Sequence, residues 1–205
     1  MSESGTLGGR LPLASRESLA PAQQKLFDQL MALAVPLAEA ADVQARTDND
    51  QLIGPFNAVL LSPEIGSGFM QLQFAEQLNT SLNERVRQVI VLTVGAIWGA
   101  DYELYAHSAA GRQARLPDDA IATLAGGGLP ADLSDEEKVA QRVARALSAQ
   151  HRIGQTLYRE AEAAFGTRGI MDIVFLVGIY HTTCAILNAF DIPAPPATTP
   201  MKEKA

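Results

Sequence analysis

The chain has 205 residues, of which 47% are apolar and 19% charged, with a formal net charge of −7 and one cysteine. Such a chain can bury a sizeable core as one domain, and a single thiol excludes an intramolecular disulfide framework. The acidic balance argues against a nucleic acid or an anionic membrane surface as partner.

Met1 to Arg10 is polar and rich in Gly and Ser, so it does not read as a secretory signal, and residues 1–17 are expected to be flexible. Pro21 suits the first turn of a helix over about 21–35, with Leu26, Phe27, Leu30 and Leu33 as its apolar stripe. Ala38–Gln51 reads as a loop. Gly54-Pro-Phe-Asn57 is a turn signal before a short apolar run, Ala58–Leu61. Ser62-Pro-Glu64 opens a helix over 63–78. Ser81-Leu-Asn-Glu84 has the pattern of a capping box, opening a helix over 83–98 with Val86, Val89, Ile90, Thr93, Val94 and Ile97 at helical spacing. Another helix follows over 101–114. Leu116-Pro-Asp118 starts a short helix that ends at Gly126-Gly-Gly128.

Ser134-Asp-Glu-Glu137 is a second capping box, before a helix over 135–150. Helices over 155–165 and 168–190 are separated by Gly166, well placed as a C-terminal stop. The second of these is the most apolar part of the chain, but Asp172, His181 and Asn188 interrupt it, so it reads as a core helix rather than a membrane span. Proline-rich 193–205 reads as a disordered tail. No segment alternates with period two. The expected fold is all-α, one helical bundle over 18–192.

Trp98-Gly-Ala-Asp-Tyr-Glu-Leu-Tyr-Ala-His107 is the stretch most informative about function. On a helix, Glu103 and His107 share a face and their side chains can meet. A carboxylate beside an imidazole near aromatic walls suits acid–base chemistry. A surface ion pair is the competing reading, since structural pairs also occur at this spacing. Trp98, Tyr102 and Tyr105 are more often core or subunit-contact residues than pocket walls, and for Pro55 and Phe56 the competing reading is that they only shape a turn. His181 reads as a buried, hydrogen-bonded histidine, His151 as a solvated cation near a helix end, and Cys184 as a small buried hydrophobe. No closed set of metal ligands is evident.

Three segments, Gly54–Pro63, Glu84–His107 and Leu176–Pro193, resemble the carboxymuconolactone decarboxylase family, which shares its fold with alkylhydroperoxidase D. The resemblance runs from Leu52 to Pro193. The peroxidase branch of that family uses a Cys-x-x-Cys pair, a histidine four residues beyond it and an upstream glutamate. On this chain those positions fall at Ala100 and Glu103, His107 and Gln88. Without a thiolate and a resolving partner, thiol peroxidase chemistry is not expected.

The decarboxylase branch needs neither thiol nor cofactor, because the lactone substrate takes up its own electrons. The resemblance therefore implies a cofactor-independent lyase, without metal, acting on a small carboxylated lactone or ring acid in aromatic compound catabolism. His107 would be the proton donor and Glu103 its orienting partner. Gln88, Trp98, Tyr102 and Phe56 would contact the substrate, with Arg85 or Arg87 holding a carboxylate. A non-catalytic small-molecule binding protein on the same scaffold is the alternative. The family also implies a cytoplasmic homo-oligomer, a trimer or hexamer, without nucleic-acid or membrane partners.

Overall fold

In a computed structural model, which describes residues 7–196, nine α-helices order the chain and the longest strand feature is a single antiparallel bridge between Arg46 and Leu52. Helix α1 (Pro21–Gln29) passes through a wide π-helical turn (Leu30–Ala34) into α2 (Val35–Ala40). That turn precedes Pro36, which has no N–H to bond back into a regular helix. The extra residue in the turn shifts the helical register. Ala34 and Val35 are buried in consequence, whereas Leu33, expected in the apolar stripe, is 54% exposed.

Helix α3 (Pro55–Val59) replaces the turn expected there, and α4 (Pro63–Asn79) follows. Helices α5 (Glu84–Trp98) and α6 (Asp101–Gln113) meet at Gly99, in the left-handed conformation. Asn83 caps α5 by accepting the Val86 N–H, so the capping box expected from Ser81 does not form. Ser81 bonds Asp172 instead. The Ser134 box does form, at the start of α8 (Asp135–Arg145), after the short α7 (Asp118–Ala125). A second wide turn, Ala146–Gln150, leads towards α9 (Gln155–Ala189). Gly166 breaks α9 into two arms with φ 65° and ψ 175°, at the stop expected from sequence.

Helix α5 occupies the centre because its stretch from Val89 to Ile97 is almost wholly apolar around the helix. Its residues Val86 to Gly95 are all buried, and it packs against α6, α7, α8 and α9. Fully buried side chains such as Ile90 and Leu92 each contribute roughly 1.5–3 kcal/mol. The second arm of α9 is long and apolar enough to cross a membrane by length and composition. Here it buries Ile173, Leu176, Cys184 and Leu187 in the core.

Residues 1–17 were expected to be flexible. From Leu7 onward the chain is held: Leu7, Leu11 and Leu13 pack on the main core, and Asn57 bonds Pro12 O and Ala14 N–H. At the other end Ile192 and Pro195 are buried. The rest of both expected flexible segments, 1–6 and 197–205, lies outside the described residues.

Candidate acid–base site

A cavity of about 590 Å³ opens where α4, α5, α6 and α9 converge beneath α2 and α3. Five acidic or basic side chains line it: Glu76 from α4, Glu84 and Arg87 from α5, and Glu103 and His107 from α6. Phe56, Phe69, Phe74, Tyr102 and Tyr180 form aromatic walls.

The geometry at His107 is tightly specified. Gln88 donates through Nε2 to Glu84 Oε1 at 2.6 Å, which turns its carbonyl oxygen towards His107. His107 Nδ1 lies 2.7 Å from that oxygen and therefore carries the proton. Its Nε2 lies 3.1 Å from Glu103 Oε1. The Tyr180 ring meets His107 edge-on, with centroids 4.9 Å apart. Both nitrogens of His107 are thus occupied within the protein.

Glu103 is 3% exposed, and its Oε1 has no hydrogen bond that an ionised carboxylate would accept. A protonated carboxyl donating to His107 Nε2 satisfies both atoms. Burial drives both groups the same way: desolvation pushes Glu103 up to about 8, while desolvation and then the Arg87 charge push His107 down to about 3. The dipole at the start of α6 opposes the Glu103 shift without changing its direction. The resting pair is a neutral acid beside a neutral imidazole.

Arg87 and Glu76 form a buried ion pair, 8% and 6% exposed, with Arg87 Nη1 at 2.9 Å from both Glu76 oxygens. Glu84 Oε2 lies 3.4 Å from Arg87 Nε. Of the two arginines considered from sequence, Arg87 reaches the cavity, whereas Arg85 is bound to Glu137 on α8.

Glu103, His107, Gln88, Tyr102 and Phe56 all line this cavity. Trp98 does not: it sits at the far end of α5, packs against His181 and accepts a bond from Asn188 through its carbonyl. Gln88 has both polar ends engaged by Glu84 and His107, so it orients the imidazole instead of offering an amide to a substrate. Tyr102 donates to Gln44 O at 2.7 Å and Tyr105 accepts from Gln44 N–H at 3.0 Å, so these tyrosines fasten the loop after α2.

Cys184 lies in the core away from the cavity lining, and burial pushes its thiol above its ordinary range. His181 bonds Ser148 at 2.8 Å, and His151 is exposed. Among the described residues no group of three or more His, Cys, Asp or Glu could hold a metal ion.

Residues 63–146 match the model of the carboxymuconolactone decarboxylase family. Over that segment the chain is similar to this family. The matched segment holds all five acidic and basic cavity residues and Gln88, while Phe56 and Tyr180 lie outside it. No curated protein matches the chain.

Several solved structures share its fold. The alkylhydroperoxidase AhpD core of an uncharacterized peroxidase-related protein from Ralstonia eutropha JMP134 has a TM-score of 0.70 at 16% identity, over 91% of this chain and 92% of that one. An uncharacterized peroxidase-related protein from Silicibacter sp. TM1040 has a TM-score of 0.66 at 21% identity, over 96% of each chain. A cysteine-to-alanine variant of the debrominase Bmp8, solved in complex with 2,3,4-tribromopyrrole, has a TM-score of 0.67 at 13% identity, over 90% of this chain and 91% of that one. At these identities the likeness concerns the fold: the chain has the AhpD-like all-α architecture.

Sequence reasoning missed Glu76, Glu84 and Tyr180. The Glu84/Arg87/Gln88 spacing on one helix face was available as a signal. Nothing local ties Glu76 or Tyr180 to His107.

Proposed function

We propose that the cavity is a thiol-free acid–base site of a lyase or isomerase acting on a small ring compound. The observation that carries this reading is the buried Glu103, whose Oε1 lies 3.1 Å from His107 Nε2 and has no other polar partner. A carboxyl that titrates near neutral pH can both give and take a proton there. The roles drawn from family resemblance are exchanged in this reading. Glu103 is the group that reaches the substrate, because both His107 nitrogens are already engaged. His107 takes the Oε1 proton when Glu103 acts as base and returns it when Glu103 acts as acid. Each proton removed from a ring carbon at the other carboxyl oxygen is balanced in this way, with no redox change.

Decarboxylation of a carboxylated lactone is the form of this chemistry that the family resemblance implies. The departing CO₂ leaves its electron pair on the ring, the lactone carbonyl takes it up, Glu103 gives its proton to carbon instead of to His107, and a proton from solvent restores the carboxyl. A decisive experiment compares wild type with Glu103→Gln for CO₂ release from γ-carboxymuconolactone and for double-bond isomerisation of α-angelica lactone. Turnover of either by wild type and its loss in the variant supports the site. Silence from wild type on both, or undiminished turnover in the variant, overturns it. A non-catalytic binding protein is the second reading, favoured by the engagement of every nitrogen on His107 and Gln88. It predicts that His107→Ala keeps ligand affinity and has no turnover to lose.

The family's expected self-association is also part of the proposal. Ile65 and Leu72 on α4 and Met171, Val174 and Phe175 on α9 are exposed large apolar residues, and a second copy of the chain is the partner we assign to them.

A further inference from the structure

We infer that the cavity selects an uncharged ring carbonyl compound over the corresponding carboxylate. The inference rests on the ligand-site reading above. Its basis is the charge arrangement around Arg87, the one cation lining the cavity among the described residues. Glu76 places both carboxylate oxygens at 2.9 Å from Arg87 Nη1. Glu84 brings a second carboxylate to 3.4 Å from Arg87 Nε. Two anions therefore already face one guanidinium. The Glu103–His107 pair adds no net charge, whichever of the two holds the shared proton. The site carries one negative charge in excess.

A ligand carboxylate would have to approach Arg87 past Glu84, whose side chain is 57% exposed, and would compete with Glu76, which is 6% exposed. Like charges within a few ångströms in a partly buried site repel strongly. An amide, ketone or lactone carbonyl escapes that repulsion. It can still rest against the aromatic walls of Phe56, Phe74 and Tyr180. The ring acid expected from the family resemblance is the ligand this arrangement disfavours.

The test uses three probes of one shape and different charge: benzoate, benzamide and benzamidine. Their affinities for the full-length protein at pH 7 are measured by titration calorimetry, with and without Glu84→Gln. That substitution removes one charge at an exposed position and keeps an acceptor for Gln88. Benzamide and benzamidine should bind at least about tenfold more tightly than benzoate, as one like-charge contact requires. Glu84→Gln should bring benzoate close to benzamide. Benzoate binding as tightly as benzamide in wild type, or an unchanged preference in the variant, overturns the charge inference while leaving the cavity as a ligand site. Failure of all three probes to bind overturns the site reading itself.

Discussion

Glu103 and His107 govern the pH response at the scale of single residues, and they do so in opposite senses. Glu103 has a raised folded value, about 8. Its contribution is fully present below the ordinary carboxyl range and is lost as pH rises through about 8. His107 has a lowered value, about 3, so its contribution is present above the ordinary imidazole value and is lost as pH falls towards 3. Between the ordinary imidazole value and pH 8, only the Glu103 effect operates. Thermal melts of Glu103→Gln should therefore fall less than wild type from about pH 6.5 to pH 8, because the amide cannot ionise. An equal fall in both proteins would show that Glu103 is not held protonated. Arg87 makes a second prediction. Arg87→Met leaves Glu76 buried without its cation, at a cost of about 3–5 kcal/mol in chemical denaturation. A loss below about 1 kcal/mol, the range of an exposed pair, would mean that the pair is open to solvent.

At the scale of elements, two glycines with positive φ make a contrast. Gly54 (φ 63°) starts α3, and a Cβ there would lie 2.3 Å from Tyr102 Cζ. Gly166 (φ 65°) kinks α9 with open space around it. Gly166→Ala should cost only the backbone strain, about 1–3 kcal/mol. Gly54→Ala should cost that plus a further ~1–3 kcal/mol of overpacking, and it should loosen the Gln44 clamp made by Tyr102. Equal costs in urea titrations would argue against the close approach of Tyr102. The capping signals show what a local pattern can carry. Ser134 and Glu137 cap α8 as their spacing suggests, because nothing else competes for them. Ser81 has the same pattern, but Asp172, distant in sequence, takes its side chain.

The molecule as a whole has α5 as its axis and a cavity where four helices meet. Its exposed apolar residues on α4 and α9 make the assembly testable. Light scattering should give wild type the mass of several chains, and Phe175→Asp with Leu72→Asp should reduce it towards that of one. A wild-type protein with the mass of a single chain would remove the second copy from the proposal.

Periodicity and caps made most of the helices readable, because a helix is set by residues three and four apart. Gly166 marked its own kink, and the i,i+4 spacing of Glu103 and His107 placed the pair on one face for the same reason. The missing Cys-x-x-Cys pair argued against thiol peroxidase chemistry by composition alone. What only the tertiary structure decided lies between helices. It brought Glu76 to Arg87 and Tyr180 to His107, sent Arg85 to Glu137, removed Trp98 from the site and engaged both ends of Gln88 inside the protein. It also decided protonation, because desolvation of Glu103 depends on how completely α4, α5, α6 and α9 enclose it, and no local spacing encodes that enclosure.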